Sequence, residues 1–223
     1  MKIGFVSLGC PKNQLDTEIM LHEVLEAGHE ITPEDIEADV IIVNTCAFLE
    51  TAREEAIKTV LECADYKSGN LEKIVVTGCL PQKFIDELFL PLQEADVFLG
   101  INDYEKIFDA LEQSYAQDKR QNYVGQGKDG YIYARSITTP EHYAYLKIAD
   151  GCYNHCTYCL IPKIRGKYRS YPMEHLLREA EELGDIAELV LVAQDTTRYG
   201  EDLYGENKFV ELIQKLSRLE NIQ

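Results

Sequence analysis

Ala38-Asp39-Val40-Ile41-Ile42-Val43-Asn44-Thr45-Cys46 is the stretch from which the fold can be read. Val40 to Val43 is an unbroken β-branched run with no polar alternation. A strand that shows water neither face reads this way, and such strands belong to parallel sheets covered on both sides by helices. Two other segments share the design. Residues 2–9 (Lys-Ile-Gly-Phe-Val-Ser-Leu-Gly) lead to Cys10, and residues 72–78 (Glu-Lys-Ile-Val-Val-Thr-Gly) lead to Cys79. Helical spacing fills the gaps. Leu15, Ile19, Leu21, Val24 and Leu25 form a stripe over 14–27, with Asn13 as N-cap and Asp16 in the first turn. Thr51-Ala52-Arg53-Glu54 offers a capping box for a helix running to about Tyr66. Helices are also expected over 84–92 and 102–117, the latter opened by Asn102 or Asp103, with a fourth strand over 96–100. The order predicts an α/β fold, an open parallel sheet with helices on both faces.

The cysteines sharpen this expectation. Cys10, Cys46 and Cys79 each stand just past a strand, at its carboxyl end. In open α/β sheets those ends gather at one edge, where ligands bind. Three thiols far apart in sequence should therefore meet in one crevice. One cysteine after a strand is commonly a small buried apolar side chain. Three at equivalent positions argue for a shared metal site, since thiolates are what iron–sulfur clusters and zinc select. Cys63 is the contrast: it falls mid-helix on the stripe of Val60 and is expected to pack in the core.

From Ala116 to Pro140 the chain turns polar and irregular, with Gly125, Gly127 and Gly130. Residues 118–140 are expected to link an N-terminal domain (1–117) to a second (141–223), with a short hairpin near 131–134. The second domain opens with a strand-like run, Tyr143 to Ile148. Asp150-Gly151-Cys152-Tyr153-Asn154-His155-Cys156-Thr157-Tyr158-Cys159 follows, a C-x3-C-x2-C loop. Two or three intervening residues reach only about 10 Å, so such a loop wraps one compact metal centre. Three thiolates on a cubane 4Fe–4S cluster leave one iron open to a substrate. Zinc wants four ligands; His155 offers a fourth, but no paired cysteines recur nearby, and a zinc-stabilised interaction module is the lesser reading. Beyond the loop come a helix over 172–183, a strand over 188–193, a loop to 204 and a helix over 208–219. Two such strands neither close a barrel nor cover their faces, so this part reads as an incomplete (β/α) barrel.

Composition narrows the partners. Acids outnumber bases 39 to 22, for a net charge of −17, whereas nucleic-acid binders normally show a basic face. An acidic surface suits a basic partner. The apolar share of 45% is ample for a core, yet no run approaches the ~20 residues of a membrane span. Met1-Lys2-Ile3 runs straight into a strand, and seven cysteines is an odd number, so reduced thiols in a cytoplasmic protein are expected.

Ser-Leu-Gly-Cys-Pro-Lys-Asn (7–13), Asn-Thr-Cys (44–46), Thr-Gly-Cys-Leu (77–80) and the C-x3-C-x2-C loop together resemble the radical S-adenosylmethionine (SAM) methylthiotransferases over essentially the whole chain. Ala193-Gln194-Asp195-Thr196-Thr197-Arg198-Tyr199-Gly200, with Cys-Pro-Lys-Asn at 10–13 and Arg165-Gly166-Lys167-Tyr168-Arg169-Ser170, is similar to the branch that modifies an aspartate of a ribosomal protein. The tRNA-adenosine branch, which tends to show Gly-Gln-Asn after that strand, is the alternative. The resemblance implies that Cys152, Cys156 and Cys159 hold a 4Fe–4S cluster whose open iron chelates SAM. One electron then yields a 5′-deoxyadenosyl radical, which takes hydrogen from an aspartate β-carbon of a basic small-subunit ribosomal protein. Cys10, Cys46 and Cys79 would hold an auxiliary 4Fe–4S cluster that carries or supplies sulfur, and a further SAM would give the methyl group. Tyr158 would flank the SAM adenine, the alternative being packing under the loop; Gln194 and Asp195 would contact SAM or substrate, or simply form a polar loop; and Arg165 and Arg169 would meet a carboxylate of SAM or substrate, with solvation at the surface as the equal alternative. A reductant protein is implied as electron donor. The later SAM-binding segments and the C-terminal nucleic-acid-binding-type domain of the family do not follow in this sequence. Direct nucleic-acid binding and activity are accordingly not expected of this piece alone.

Overall fold

The computed structural model describes residues 1–125 and 134–222. The chain divides into two compact units, Met1–Ser136 and Ile137–Gln223. The first contains β1 (Lys2–Ser7), α1 (Pro11–Glu26), β2 (Glu30–Ile31), β3 (Val40–Thr45), α2 (Glu50–Ala64), β4 (Lys73–Gly78), α3 (Cys79–Leu88), β5 (Val97–Phe98), α4 (Ile107–Gln117) and β6 (Gln121–Asn122). These strands form one parallel sheet in the order β2-β1-β3-β4-β5-β6.

All six residues of β3 are buried, as its unalternating sequence requires. Val40 and Ile42 join Ile3, Val75 and Val97 in a core closed by Ile19, Met20 and Val24 of α1 and by Ile107 and Leu111 of α4. Ile41, Val43, Ile74 and Val76, pointing to the opposite face, are equally buried. There α2 and α3 pack on β3 and β4 and bring Ala56, Val60, Leu80 and Leu88. Burying each branched side chain contributes about 1.5–3 kcal/mol. The central strand is thus held from both sides, and the sheet edge at its carboxyl end is fixed with it.

Several helix starts differ from expectation, each for a physical reason. α1 begins at Pro11, where the missing N–H is harmless, with Cys10 rather than Asn13 at the N-cap. Asn13 lies inside the first turn, 1% exposed, and spends its amide on the carbonyls of Leu8 and Thr45. The capping box at Thr51 is not formed: α2 starts at Glu50 after Leu49, with no side-chain cap. α3 starts at Cys79 itself, not at Phe84, where a φ of −120° kinks it instead. Tyr104–Lys106 is a 3-10 turn ahead of α4, and Asp103 accepts from the N–H groups of Gly100 and Gly125 rather than capping the helix. β2 and β6, two residues each, are too short to leave a periodic trace. β6 falls within the span expected to be a linker. Arg120 anchors it by donating to the carbonyls of Ala95 (2.8 Å) and Leu92 (2.7 Å). Farther along, Ser136 N–H donates to the Glu18 carbonyl (2.9 Å), and Arg135 pairs with the buried Glu18 carboxylate. The hairpin expected near 131–134 lies, but for Ala134, outside the described residues.

The second unit contains β7 (Tyr143–Lys147), β8 (Ala149–Asp150), α5 (Ile161–Ile164), β9 (Arg169–Ser170), α6 (Met173–Glu182), β10 (Glu188–Val192), α7 (Glu201–Tyr204) and α8 (Phe209–Leu216). β7 and β10 pair in parallel from Tyr143–Glu188 to Lys147–Val192, with α6 between them in sequence, a partial (β/α) arrangement. The antiparallel pair β8–β9 was not expected. Among the described residues no helix is long and apolar enough to cross a membrane.

Gly78 carries the carboxyl-end turn of β4 at φ +96°, where a Cβ would lie 2.4 Å from Asn44 Oδ1 and 2.5 Å from the Thr45 carbonyl. Gly78→Ala should lower stability by at least about 1–3 kcal/mol from backbone conformation alone. The midpoint of denaturant unfolding measures this, and an unchanged midpoint would contradict the packing described.

Candidate metal centres

Sheet register brings the first three cysteines together. Ser7 lies beside Asn44, and Asn44 beside Thr77, so the carboxyl ends of β1, β3 and β4 form one row. Chain direction across the sheet reverses between β1 and β3, the place where open α/β sheets form their ligand crevice. Cys10 and Cys46 stand on its two sides, and Cys79 follows on the next strand.

Asn13 centres the group. Its Oδ1 lies 3.9 Å from the Cys10 sulfur and 3.8 Å from the Cys79 sulfur, so those sulfurs are separated by no more than the sum of the two. Cys46 closes the third side, because a Cβ placed on Gly9 would sit 2.8 Å from its Cβ and 3.4 Å from its sulfur. Gly9 takes φ +101°, so a side chain is excluded there twice over. Beneath the group runs a buried polar network. Asn44 Nδ2 donates to the Asn13 carbonyl (2.8 Å) and the Thr17 hydroxyl (3.0 Å), Thr17 meets Ser7 (2.8 Å), and Thr45 Oγ1 donates to the Thr77 carbonyl (2.6 Å).

In the second unit Cys152, Cys156 and Cys159 lie on a largely exposed loop. Its base is tight. Gly151 has φ +73°, and a Cβ there would come within 2.1 Å of the Lys167 carbonyl; Cys152 N–H donates to the Gly166 carbonyl (3.2 Å). Asp150 and Arg165, 2% and 3% exposed, form a buried ion pair at 3.3 Å. Arg165 is therefore neither a surface group nor free to meet a ligand's carboxylate, correcting both sequence expectations for it. Asn154 N–H donates to the Cys152 sulfur (3.4 Å), and Cys159 N–H to the Cys156 carbonyl (3.0 Å).

Tyr158 is 81% exposed, which leaves its ring face open and rules out packing beneath the loop. Asp195 follows β10; its Oδ1 accepts from the Thr197 hydroxyl (2.7 Å) and its Oδ2 from the Asn154 amide (3.1 Å). Those bonds, Thr197 first, hold its carboxyl below the usual carboxylate range. Gln194, next to it, is half-buried. Arg169 forms part of β9, beside Asp150.

Among the described residues no three His, Cys, Asp or Glu side chains close tightly enough to hold a single ion. Thiolate donors are what iron–sulfur clusters and zinc select. Asn13, Gly9 and Gly78 were missed as site residues in the sequence. A signal was present, since Gly-Cys recurs at 9–10, 78–79 and 151–152, each time with the glycine at positive φ.

Comparison with known proteins finds one family match in each unit. Residues 2–100 match the family described as uncharacterized protein family UPF0004, and residues 146–222 match the radical SAM superfamily. The ribosomal protein uS12 methylthiotransferase RimO of Clostridium tetani is 47% identical over 100% of this chain and 51% of its own length. Proteins of the same name are 47% identical in Trichlorobacter lovleyi, over 51% of that protein, and 44% identical in Lachnoclostridium phytofermentans, over 52%. The chain carries a UPF0004 domain followed by a radical SAM domain. It spans about half the length of the curated relatives it matches. The radical SAM superfamily implies SAM and a 4Fe–4S cluster, to which the C-x3-C-x2-C loop at 152–159 is suited.

Cys63 stands apart from both groups, 4% exposed in α2, with burial pushing its thiol up to about 11. At pH 8 about one in a thousand Cys63 side chains would be thiolate, the reactive form. Iodoacetamide treatment of the iron-free protein should modify the exposed Cys10 and Cys156 and spare Cys63 until denaturant is added. Peptide mass spectrometry checks this, and equal labelling of Cys63 would contradict its core placement.

Proposed function

We propose that this chain supplies the ligands of two 4Fe–4S clusters in an enzyme that adds a methylthio group to an aspartate β-carbon of a basic small-subunit ribosomal protein. The observation that carries the reading is the meeting of Cys10 and Cys79 at one Asn13 oxygen, with Cys46 against Gly9. Three thiols in the crevice of a parallel sheet have no packing purpose that Ala or Ser would not serve. The second trio sits on a loop whose base is locked and whose sulfur-bearing arc is open. Relatives carrying the ribosomal methylthiotransferase name match every part of the chain. A net charge of −17 favours encounter with a basic protein.

When bound, the cofactors supply one-electron cleavage of SAM and a source of sulfur. The polypeptide's part is placement. Gly9, Gly78 and Gly151 turn the backbone at positive φ immediately before Cys10, Cys79 and Cys152. The network of Asn13, Asn44, Thr17 and Ser7 fixes the row beneath the first trio. Tyr158 offers an exposed ring face to an adenine, and Gln194 and Asp195 stand at the carboxyl end of β10, where a SAM ligand is expected. A reductant protein and a cytoplasmic setting, where thiols stay reduced, complete the reading.

Anaerobic reconstitution tests it. The chain should bind about eight irons, and the Cys10→Ala/Cys46→Ala/Cys79→Ala variant about four, by iron and labile-sulfide analysis. Four irons in both proteins would remove the auxiliary cluster. Zinc without sulfide would support the interaction-module alternative instead. A methylthio mass appearing on tRNA and not on the ribosomal protein, with the enzyme at the full length of its relatives, would reassign the substrate.

A further inference from the structure

The outer arc of the 152–159 loop presents a mechanical problem. Residues 153–158 are exposed, and His155 holds φ +48°, a left-handed conformation that a non-glycine residue keeps only when its surroundings impose it. The locked base at Gly151 and Cys152 does not reach that far. Asn154 is the neighbour of His155, and two bonds leave it in different directions. Its side-chain amide donates to Asp195 Oδ2 (3.1 Å), 41 residues away, and its backbone N–H donates to the Cys152 sulfur (3.4 Å).

Asp195 is itself fixed. The Thr197 hydroxyl donates to its other carboxylate oxygen (2.7 Å), and the buried Tyr168 hydroxyl donates to its backbone carbonyl (2.9 Å). Burial pushes the Tyr168 phenol up to about 12, so it remains a donor throughout the working pH range. Both carboxylate oxygens of Asp195 thus have partners within its own unit.

We propose that Asp195 is a positioning residue for the 152–159 loop: through Asn154 it fixes the outer arc and holds the Asn154 N–H on the Cys152 sulfur. The proposal rests on the reading of Cys152 as a cluster ligand, and it gives Asp195 a role that does not require contact with SAM. Hydrogen bonds to ligand sulfurs tune the potential of an iron–sulfur cluster, because a donor stabilises the more negative, reduced state. A charged carboxylate nearby acts in the opposite direction, so the two contributions can be separated by substitution.

The tether joins two side chains of the protein itself, which allows a test that does not depend on loading. Hydrogen–deuterium exchange of peptides covering 152–159 in the iron-free protein should quicken severalfold in Asn154→Ala and in Asp195→Ala. The double variant should exchange no faster than either single one, as expected of two groups acting through one contact. Unchanged exchange, or effects that add, would overturn the proposal. Asp195→Asn, which keeps an acceptor oxygen and the shape, should leave exchange near wild type. The Cys10→Ala/Cys46→Ala/Cys79→Ala protein, carrying the loop cluster alone, then reports the potential. Asn154→Ala should shift it negative and Asp195→Asn positive. An unshifted potential in Asn154→Ala would remove the N–H···S part of the proposal. Failure of the unsubstituted protein to take up iron would sink the proposed function, while the exchange result would still decide the tether.

Discussion

Parallel pairing in register of β1, β3 and β4 is the constraint on which the grouping of Cys10, Cys46 and Cys79 depends. Because Ser7, Asn44 and Thr77 lie in one row, the residues just past each strand emerge at the same height on the same edge. A one-residue slip in any pair would turn the strand's side chains to the opposite face and carry its cysteine out of line. Register here is held by burial on both faces of β3, so the energy that stabilises the core also sets the spacing of the thiols.

Glycine is the second requirement. A strand leaving a sheet must turn at once if its next side chain is to face the crevice, and Gly9 and Gly78 do so at backbone angles other residues rarely adopt. Each is also pressed by a neighbour: Cys46 against Gly9, Asn44 and Thr45 against Gly78. Close approach and unusual φ coincide, so the glycines fix how near the three chain ends can come. Gly151 repeats the device on the loop of the second unit, against the carbonyls of Gly166 and Lys167.

The two trios solve the same problem differently. Cys10, Cys46 and Cys79 are drawn from distant parts of the chain and rest on a buried polar network, with Asn13 facing two of the sulfurs. Cys152, Cys156 and Cys159 are local, and their geometry relies on a locked base and on side-chain bonds such as that from Asn154 to Asp195. The first arrangement is tied to the register of the sheet. The second is open, as a site must be if a ligand is to reach it.

Much of this was legible in the amino-acid order. The unbroken Val40–Val43 run specified a doubly covered strand, the alternation with helices specified a parallel sheet, and C-x3-C-x2-C specified a compact local loop, because these signals depend on neighbours in sequence. Helix starts were not legible: Asn13 and Thr51 have the chemistry of caps, but Asn13 is claimed by the carbonyls of Leu8 and Thr45, and Pro11 and Glu50 already begin their helices. Nor could Arg165 be placed, since its partner Asp150 reaches it only when β8 and β9 pair. Sequence by itself determined which elements form and where the thiols fall along them. Tertiary structure alone decided which polar groups those thiols face, since hydrogen bonds between distant segments exist only after the sheet has set their register.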